Sequence, residues 1–302
     1  MFDWLKKYIF LFFLKRVYKK YKNLYFPIYS HSPKYLNFAY PDFSVKYYVM
    51  TIDKDFTISG IIPMNMLRYF SINLYNTKGQ SIYNKNDYFF LQKNKVFEKN
   101  MTIPYKENIK IKDLTCLIIR FYVKEEYEKE DFYKYLPKMD SSTTITKIKS
   151  PERKANSLQL GDTITRAISV KNKNIVPKKW NKFYSPQLNK LDSLFPNKDA
   201  KYLIAFPTDI TNPIKIIVPK PKYSYQNLRY VSVMTCNFLT TSTDDCFHIT
   251  TKQNEIWLLP HNSKDKKENA IYWKKENHYP IIVYRVVNIK NQKLEKPIII
   301  LI

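Results

Sequence analysis

The chain has 302 residues, 44% of them hydrophobic, which is ample for a buried core but exceeds the usual single domain, so two domains or one enlarged sandwich are expected. Lysine and arginine total 51 against 26 acidic residues, a formal net charge of +25 that concerns partners rather than fold and points to nucleic acid, a membrane surface or an acidic protein. Only 3 glycines are present, which leaves little room for a phosphate loop, a dinucleotide fingerprint or a nucleophile elbow, and none is found.

Residues 1–26, MFDWLKKYIFLFFLKRVYKKYKNLYF, contain an apolar run from Tyr8 to Leu14 between basic pairs. The run falls far short of the roughly 20 residues that span a bilayer. No small-residue cleavage site follows it, as a signal peptide would require. A basic N-terminal helix is expected within 1–38, with two roles of equal standing. It is either an interfacial anchor that lays Lys6, Lys7, Lys15, Arg16, Lys19 and Lys20 on anionic lipid, or a helix docked on the protein's own core or on a subunit.

From Tyr47 onward the texture is β. Tyr47 to Ile52 stops at Asp53-Lys54-Asp55, Thr57 to Ile62 at Pro63, Leu67 to Tyr75 at Asn76-Thr77-Lys78-Gly79, and Cys116 to Val123 at a charged stretch. The second half repeats the order with Tyr202 to Phe206, Ile214 to Val218, Leu228 to Met234 and Ile281 to Val287. LRYFSINLYN at 67–76 matches LRYVSVMTCN at 228–237 at Leu67/Leu228, Arg68/Arg229, Tyr69/Tyr230, Ser71/Ser232 and Asn76/Asn237. The interval from Arg68 to Arg120 is 52 residues, and that from Arg229 to Arg285 is 56. No strong helical period lies between the strands, so the expected class is mainly all-β: two β-sandwich or jelly-roll-like lobes from a tandem repeat. The expected organisation is a basic segment at 1–38, a first repeat at 39–140, a crossover or linker at 141–200 and a second repeat at 201–302. Lys, Asn, Ile, Tyr and Phe are also favoured by AT-rich coding, whereas the 17 prolines are not and mark turns and strand edges.

The run NLRYVSVMTCNFLTTSTDDCF, followed by an apolar strand, a WLLP segment and PIIVYRVV, resembles a group of bacterial and viral proteins related to the domains of unknown function 1254 and 1214. In the first half RYFSINLYN, Asp87-Tyr88-Phe89, LIIRFYV and Leu136-Pro137 carry the same likeness, which covers residues 40–295 in patches. Val231 stands where the family usually has Trp, and most family glycines are absent. The resemblance implies a duplicated β-sandwich and an association with membranes or exported compartments, and it supplies no reaction. For Cys236 and Cys246, which on pattern alone either bridge or fill the core, it implies a disulfide across the loop or a retained thiol pair.

Strict strand alternation puts Arg68 with Phe70, Ile72 and Leu74, and Arg229 with Val231 and Val233. An arginine on an apolar face needs a partner. The pairs Arg68–Tyr69 and Arg229–Tyr230 therefore either grip an anionic ligand at a sheet end or act as structural clamps, Arg68 with Asp87 and Arg229 with Asp244 or Asp245. The clamp is the simpler expectation. The histidines His31, His248, His261 and His278 form no HExxH pair, and Cys246-Phe247-His248 offers two ligands on one strand face without a third, so neither metal nor cofactor is expected. The adjacent acids Glu125-Glu126 and Asp244-Asp245 are expected to be solvated, and enzyme is the weaker class.

VPKKWNKFYSP at 176–186 interleaves Lys178, Lys179, Trp180 and Lys182 with aromatics, a pattern that suits phosphates and stacked bases or a lipid interface. Alternatively, it is a connector whose Trp180 and Phe183 plug the sandwich. The expected function is a non-enzymatic structural or interaction protein, tethered through its N-terminus to an anionic membrane or an assembly such as the virion of a large DNA virus with an AT-rich genome. Two alternatives stand beside it: a basic subunit of a nucleic-acid assembly such as an organellar ribosome, and a small-ligand binder or enzyme of the 1254/1214-like type using Arg68 or Arg229.

Overall fold

The computed structural model describes residues 15, 25–28, 42, 44–77, 80–94, 102–139, 180–185, 197–224, 227–238, 243–275, 277–288 and 295–302. It is a mainly β protein of two compact units, one centred on Ser44–Ser150 and the other on Asp199–Ile302. The expected N-terminal helix lies outside the described residues except for Lys15, which is helical and exposed.

In the first unit β1 (Phe26–Ile28), β2 (Val45–Ile52), β7 (Thr115–Val123), β4 (Leu67–Tyr75) and β5 (Ser81–Asn86) form one sheet in the order β1-β2-β7-β4-β5. A second sheet has the order β6-β3-β8, from β6 (Thr102–Ile109), β3 (Phe56–Pro63) and β8 (Lys138–Met139). One short helix, α1 (Asp87–Asn94), follows β5, and the Asn86 side chain caps it by accepting the Phe89 N–H at 3.0 Å. The core between the sheets is aromatic. Phe121 lies against Tyr48, Phe70 and Phe132 at ring separations of 5.9, 5.2 and 5.2 Å, and Tyr105 closes on Phe90 at 4.8 Å.

The second unit repeats this plan. One sheet runs β12-β11-β15-β9, built from β9 (Ala200–Ala205), β11 (Leu228–Asn237), β12 (Thr243–His248) and β15 (Pro280–Asn288). The other runs β14-β13-β10-β16, built from β10 (Ile214–Ile217), β13 (Glu255–Leu259), β14 (Ala270–Tyr272) and β16 (Ile298–Leu301). Read across the sheets, β2-β7-β4-β5 corresponds to β9-β15-β11-β12, and β6-β3-β8 to β13-β10-β16. Val231, Val233, Ile282, Tyr284 and Val286 from one sheet meet Ile214, Ile216, Ile256 and Leu258 from the other in a single apolar core.

The register repeats as well. The β4–β7 pairing shifts between Leu67 and Tyr69, and the β11–β15 pairing shifts between Leu228 and Tyr230. These are β-bulges at equivalent places, and they take Arg68 and Arg229 out of strict alternation. A second matched pair of shifts falls between Leu74 and Tyr75 and between Thr235 and Cys236.

The units do not follow the expected boundaries throughout. Asp42, placed by sequence in the first repeat, groups with the second unit, whereas Asn197, placed in the linker, groups with the first. Tyr184, also from the linker region, exchanges backbone hydrogen bonds of 3.0 and 2.9 Å with Ile204 of β9.

Phe121 is fully buried at the centre of the aromatic core. Phe121→Ala is expected to cost about 3–5 kcal/mol, from lost transfer energy plus the cavity left behind. The shift of the urea unfolding midpoint measures it.

Candidate functional site

Both faces of the β4–β7 and β11–β15 ladders are buried, so polar residues on them must be satisfied from within the protein. One cross-strand row recurs. In the first unit Tyr47, Arg120, Ser71 and Asn86 lie side by side on β2, β7, β4 and β5. In the second, Tyr202, Arg285, Ser232 and His248 lie side by side on β9, β15, β11 and β12. Each arginine sits over the tyrosine of its row, Arg120 at 5.9 Å and Arg285 at 5.1 Å from the ring centre.

The rows are completed differently. Arg120 donates to Asn73 Oδ1 and, at 2.9 Å, to the Tyr75 hydroxyl, both acceptors standing on β4. Burial works against the Arg120 charge, and the oxygens of Tyr75, Tyr122 and Tyr47 more than offset it. Arg285 instead faces a carboxylate, with its Nη1 3.4 Å from Asp42 Oδ2 and the two side chains only 4% and 0% exposed. Asp42 also accepts from the Tyr230 hydroxyl at 2.7 Å, the Ser232 hydroxyl at 2.6 Å and the Cys246 thiol at 3.4 Å. His248 lies against Tyr230, ring centres 4.8 Å apart.

The sequence-predicted residues divide around this arrangement. Tyr230 is part of it. Tyr69, its counterpart, is fully buried, donates to Asn197 Oδ1 at 3.3 Å and packs edge-on against Tyr122 at 5.2 Å. Arg68 is not a buried clamp with Asp87: at the bulge it reaches Glu125 at 3.5 Å, and the Glu125 side chain is 61% exposed. Asp87 instead begins α1 and accepts the N–H of Tyr88. Arg229 is buried at the matching bulge.

Asp244 and Asp245 are not solvated acids but half-buried acceptors that fix the loop after β14. Asp244 takes the Asn277 amide at 2.5 Å and the Lys274 N–H at 3.3 Å, while Asp245 takes the N–H groups of Tyr272 and Cys246 at 3.0 and 2.8 Å. Desolvation by burial raises the pKa of both above the ordinary carboxylate value.

Of the two alternatives that the family likeness implied, a disulfide or a retained thiol pair, the structure has no bridge: Cys236 and Cys246 are free thiols. Cys246 pairs in register with Met234 and Cys236 with Thr243, whose hydroxyl receives the Cys236 thiol at 3.7 Å. Burial pushes the Cys116 thiol up to about 12 and raises Cys236 as well.

Of the expected basic surface, Lys6, Lys7, Arg16, Lys19, Lys20, Lys178 and Lys179 lie outside the described residues. Trp180 is 50% exposed, so it does not plug the sandwich as Phe183 does; it stands edge-on to Phe206 at 6.4 Å, and Lys182 beside it is exposed. The turn that presents them is pinned by Asn181, which adopts a left-handed φ of 54°. Asn181 donates its N–H to Phe206 O at 2.9 Å and its amide to the Thr208 hydroxyl at 2.9 Å, and accepts the Thr208 N–H at 3.0 Å.

Among the described residues no group of three His, Cys, Asp or Glu could hold a metal ion, and no helix is long and apolar enough to cross a membrane.

From the sequence, Arg120 and Arg285 served only as markers of the repeat interval and were not read as site residues, and Asp42 was passed over. The signal for the arginines was present, a single charge within the apolar strands LIIRFYV and IIVYRVV. For Asp42 no local signal exists, because its donors lie 188 to 204 residues away or farther.

No family model and no curated protein matches the chain. Among solved structures, an uncharacterized protein from Burkholderia cenocepacia is similar with a TM-score of 0.61 at 10% identity, over 97% of this chain and 86% of that one. The VPA0106 protein from Vibrio parahaemolyticus aligns with a TM-score of 0.49 at 10% identity, over 99% and 98% of the two chains. The first of these likenesses shows that the two-unit β fold recurs in another protein.

Two outcomes follow from the buried groups. In native protein at pH 8, iodoacetamide is expected to leave Cys116 and Cys236 unlabelled and to reach half-buried Cys246 first, with all three labelled in urea, as read by peptide mass spectrometry. A carboxyl whose folded pKa is raised binds more protons folded than unfolded, so its contribution to stability is lost as pH rises through the folded value. Asp244→Asn is therefore expected to gain stability relative to wild type between the ordinary carboxylate pKa and neutrality, as measured by urea unfolding across that range.

Proposed function

We propose that the protein is a non-enzymatic structural or interaction component that docks on an anionic membrane surface, or within a membrane-bound assembly of virion type. Membership of the group related to domains of unknown function 1254 and 1214 is part of this reading. The observation that carries it is the pinned turn at 180–182, where a half-exposed Trp180 and an exposed Lys182 are presented together on a protein of net charge +25. Indole rings and lysines side by side suit the headgroup region, the ring entering the interface while the ammonium meets lipid phosphate. Asn181 holds the turn before any partner arrives, so little ordering cost remains on docking. The basic stretch within residues 1–26 supplies a further contact with anionic lipid.

Sedimentation with phosphatidylserine-containing vesicles tests the reading. A basic residue at an anionic surface contributes about 1 kcal/mol, so Lys182→Gln is expected to weaken vesicle binding by roughly fivefold, with Trp180→Ala also weakening it. Vesicle binding indifferent to both substitutions and to removal of residues 1–26 would sink the proposal. Steep salt-dependent RNA binding by the protein lacking residues 1–26 would favour a nucleic-acid assembly instead.

A further inference from the structure

We infer that the second unit contains a carboxylate-binding site, and that Asp42 is the ligand resident in it. Four donors converge on one carboxylate from three strands: Tyr230 and Ser232 on β11, Cys246 on β12 and Arg285 on β15. The fourth strand of the sheet, β9, supplies Tyr202 under the guanidinium at 5.1 Å. Tyr230, Ser232 and Arg285 are all buried, with exposures of 0%, 0% and 3%.

The donors are positioned by strand register: Ser232 and Arg285 are direct cross-strand neighbours, Tyr230 is two residues from Ser232 on β11, and Cys246 pairs with Met234, two residues to its other side. Their geometry therefore does not depend on the group they bind, which is the mark of a pre-organised receptor. The carboxylate, by contrast, belongs to no strand of this sheet and arrives from 188 residues or more upstream.

The first unit shows a version of the row with acceptors on its own strand. There Asn73 and Tyr75, on the same strand as Ser71, supply the acceptors for Arg120. The equivalent positions of β11 are Met234 and Cys236, which bring neither a carbonyl nor a hydroxyl. The second unit thus gives up its in-strand acceptors and takes an oxyanion from outside the sheet. A guanidinium flanked by two hydroxyls and a thiol suits a planar carboxylate. The ligand class is a small monocarboxylate, of which formate and acetate are the simplest members.

Chemical rescue tests the inference. Asp42→Gly in the full chain removes the resident group and leaves its donors in place. Its melting temperature is expected to fall by roughly 6–20 °C, as loss of one partner of a buried ion pair in a chain of this size implies. Sodium formate is then expected to raise it saturably towards the wild-type value, while sodium chloride at the same ionic strength does not, and wild-type protein responds equally to both salts. Adding Tyr230→Phe and Ser232→Ala to Asp42→Gly is expected to abolish the formate-specific rise. Equal response of Asp42→Gly to formate and chloride would overturn the inference, as would a formate effect that survives loss of both hydroxyls. If Asp42→Gly is recovered unfolded, refolding from urea decides the matter: folding in formate but not in chloride supports the site, and failure in both refutes it.

Discussion

A guanidinium in the middle of a sheet that is buried on both faces has no water to turn to, so its partners must be protein groups. This constraint acts on Arg120 and Arg285 alike and organises what lies around each of them. In the first unit it selects Asn73 and Tyr75 on the neighbouring strand. In the second it brings in Asp42, whose carboxylate also accepts from the hydroxyls of Tyr230 and Ser232 and the thiol of Cys246. An ion pair satisfied on both sides does not by itself add much stability, but loss of either half would be severe. The arginines therefore act as constraints on sequence more than as sources of binding energy.

The two units show how a duplicated fold diverges under such a constraint. Strand order, both bulges and the Tyr–Arg–Ser row are common to them, whereas the acceptors facing the arginines are not. The cores differ too, since the first is rich in aromatic rings packed edge-on or tilted and the second in aliphatic side chains. What is kept is the register that places the arginine, and what varies is the chemistry that answers it.

Much of the fold was legible in the sequence because the central strands announce themselves. Leu67 to Tyr75 is bounded by turn residues at both ends, and its likeness to 228–237 marks the repeat. Strands of mixed polarity were less legible. β5 reads SIYNKN and β12 reads TDDCFH, where the two aspartates resemble a solvated loop yet serve as acceptors for backbone N–H groups and an amide. The bulges were invisible to a period-two reading, which is why Arg68 was expected on the apolar face and is found at Glu125. Asp42 was invisible for another reason, because a contact made across so much chain leaves no local pattern.

That long span bears on how the molecule is made. Synthesis proceeds from the N-terminus, so Asp42 is added to the chain 243 residues before Arg285. By the time Arg285 is added the whole first unit has been translated, and Asn73 and Tyr75, which accept from Arg120, are already in the chain. The second unit has the opposite schedule: the oldest piece of its site must wait for the last strand of its sheet, β15. A ribosome that stops before β15 would leave a first unit attached to a second unit whose Asp42 carboxylate has no Arg285 to meet.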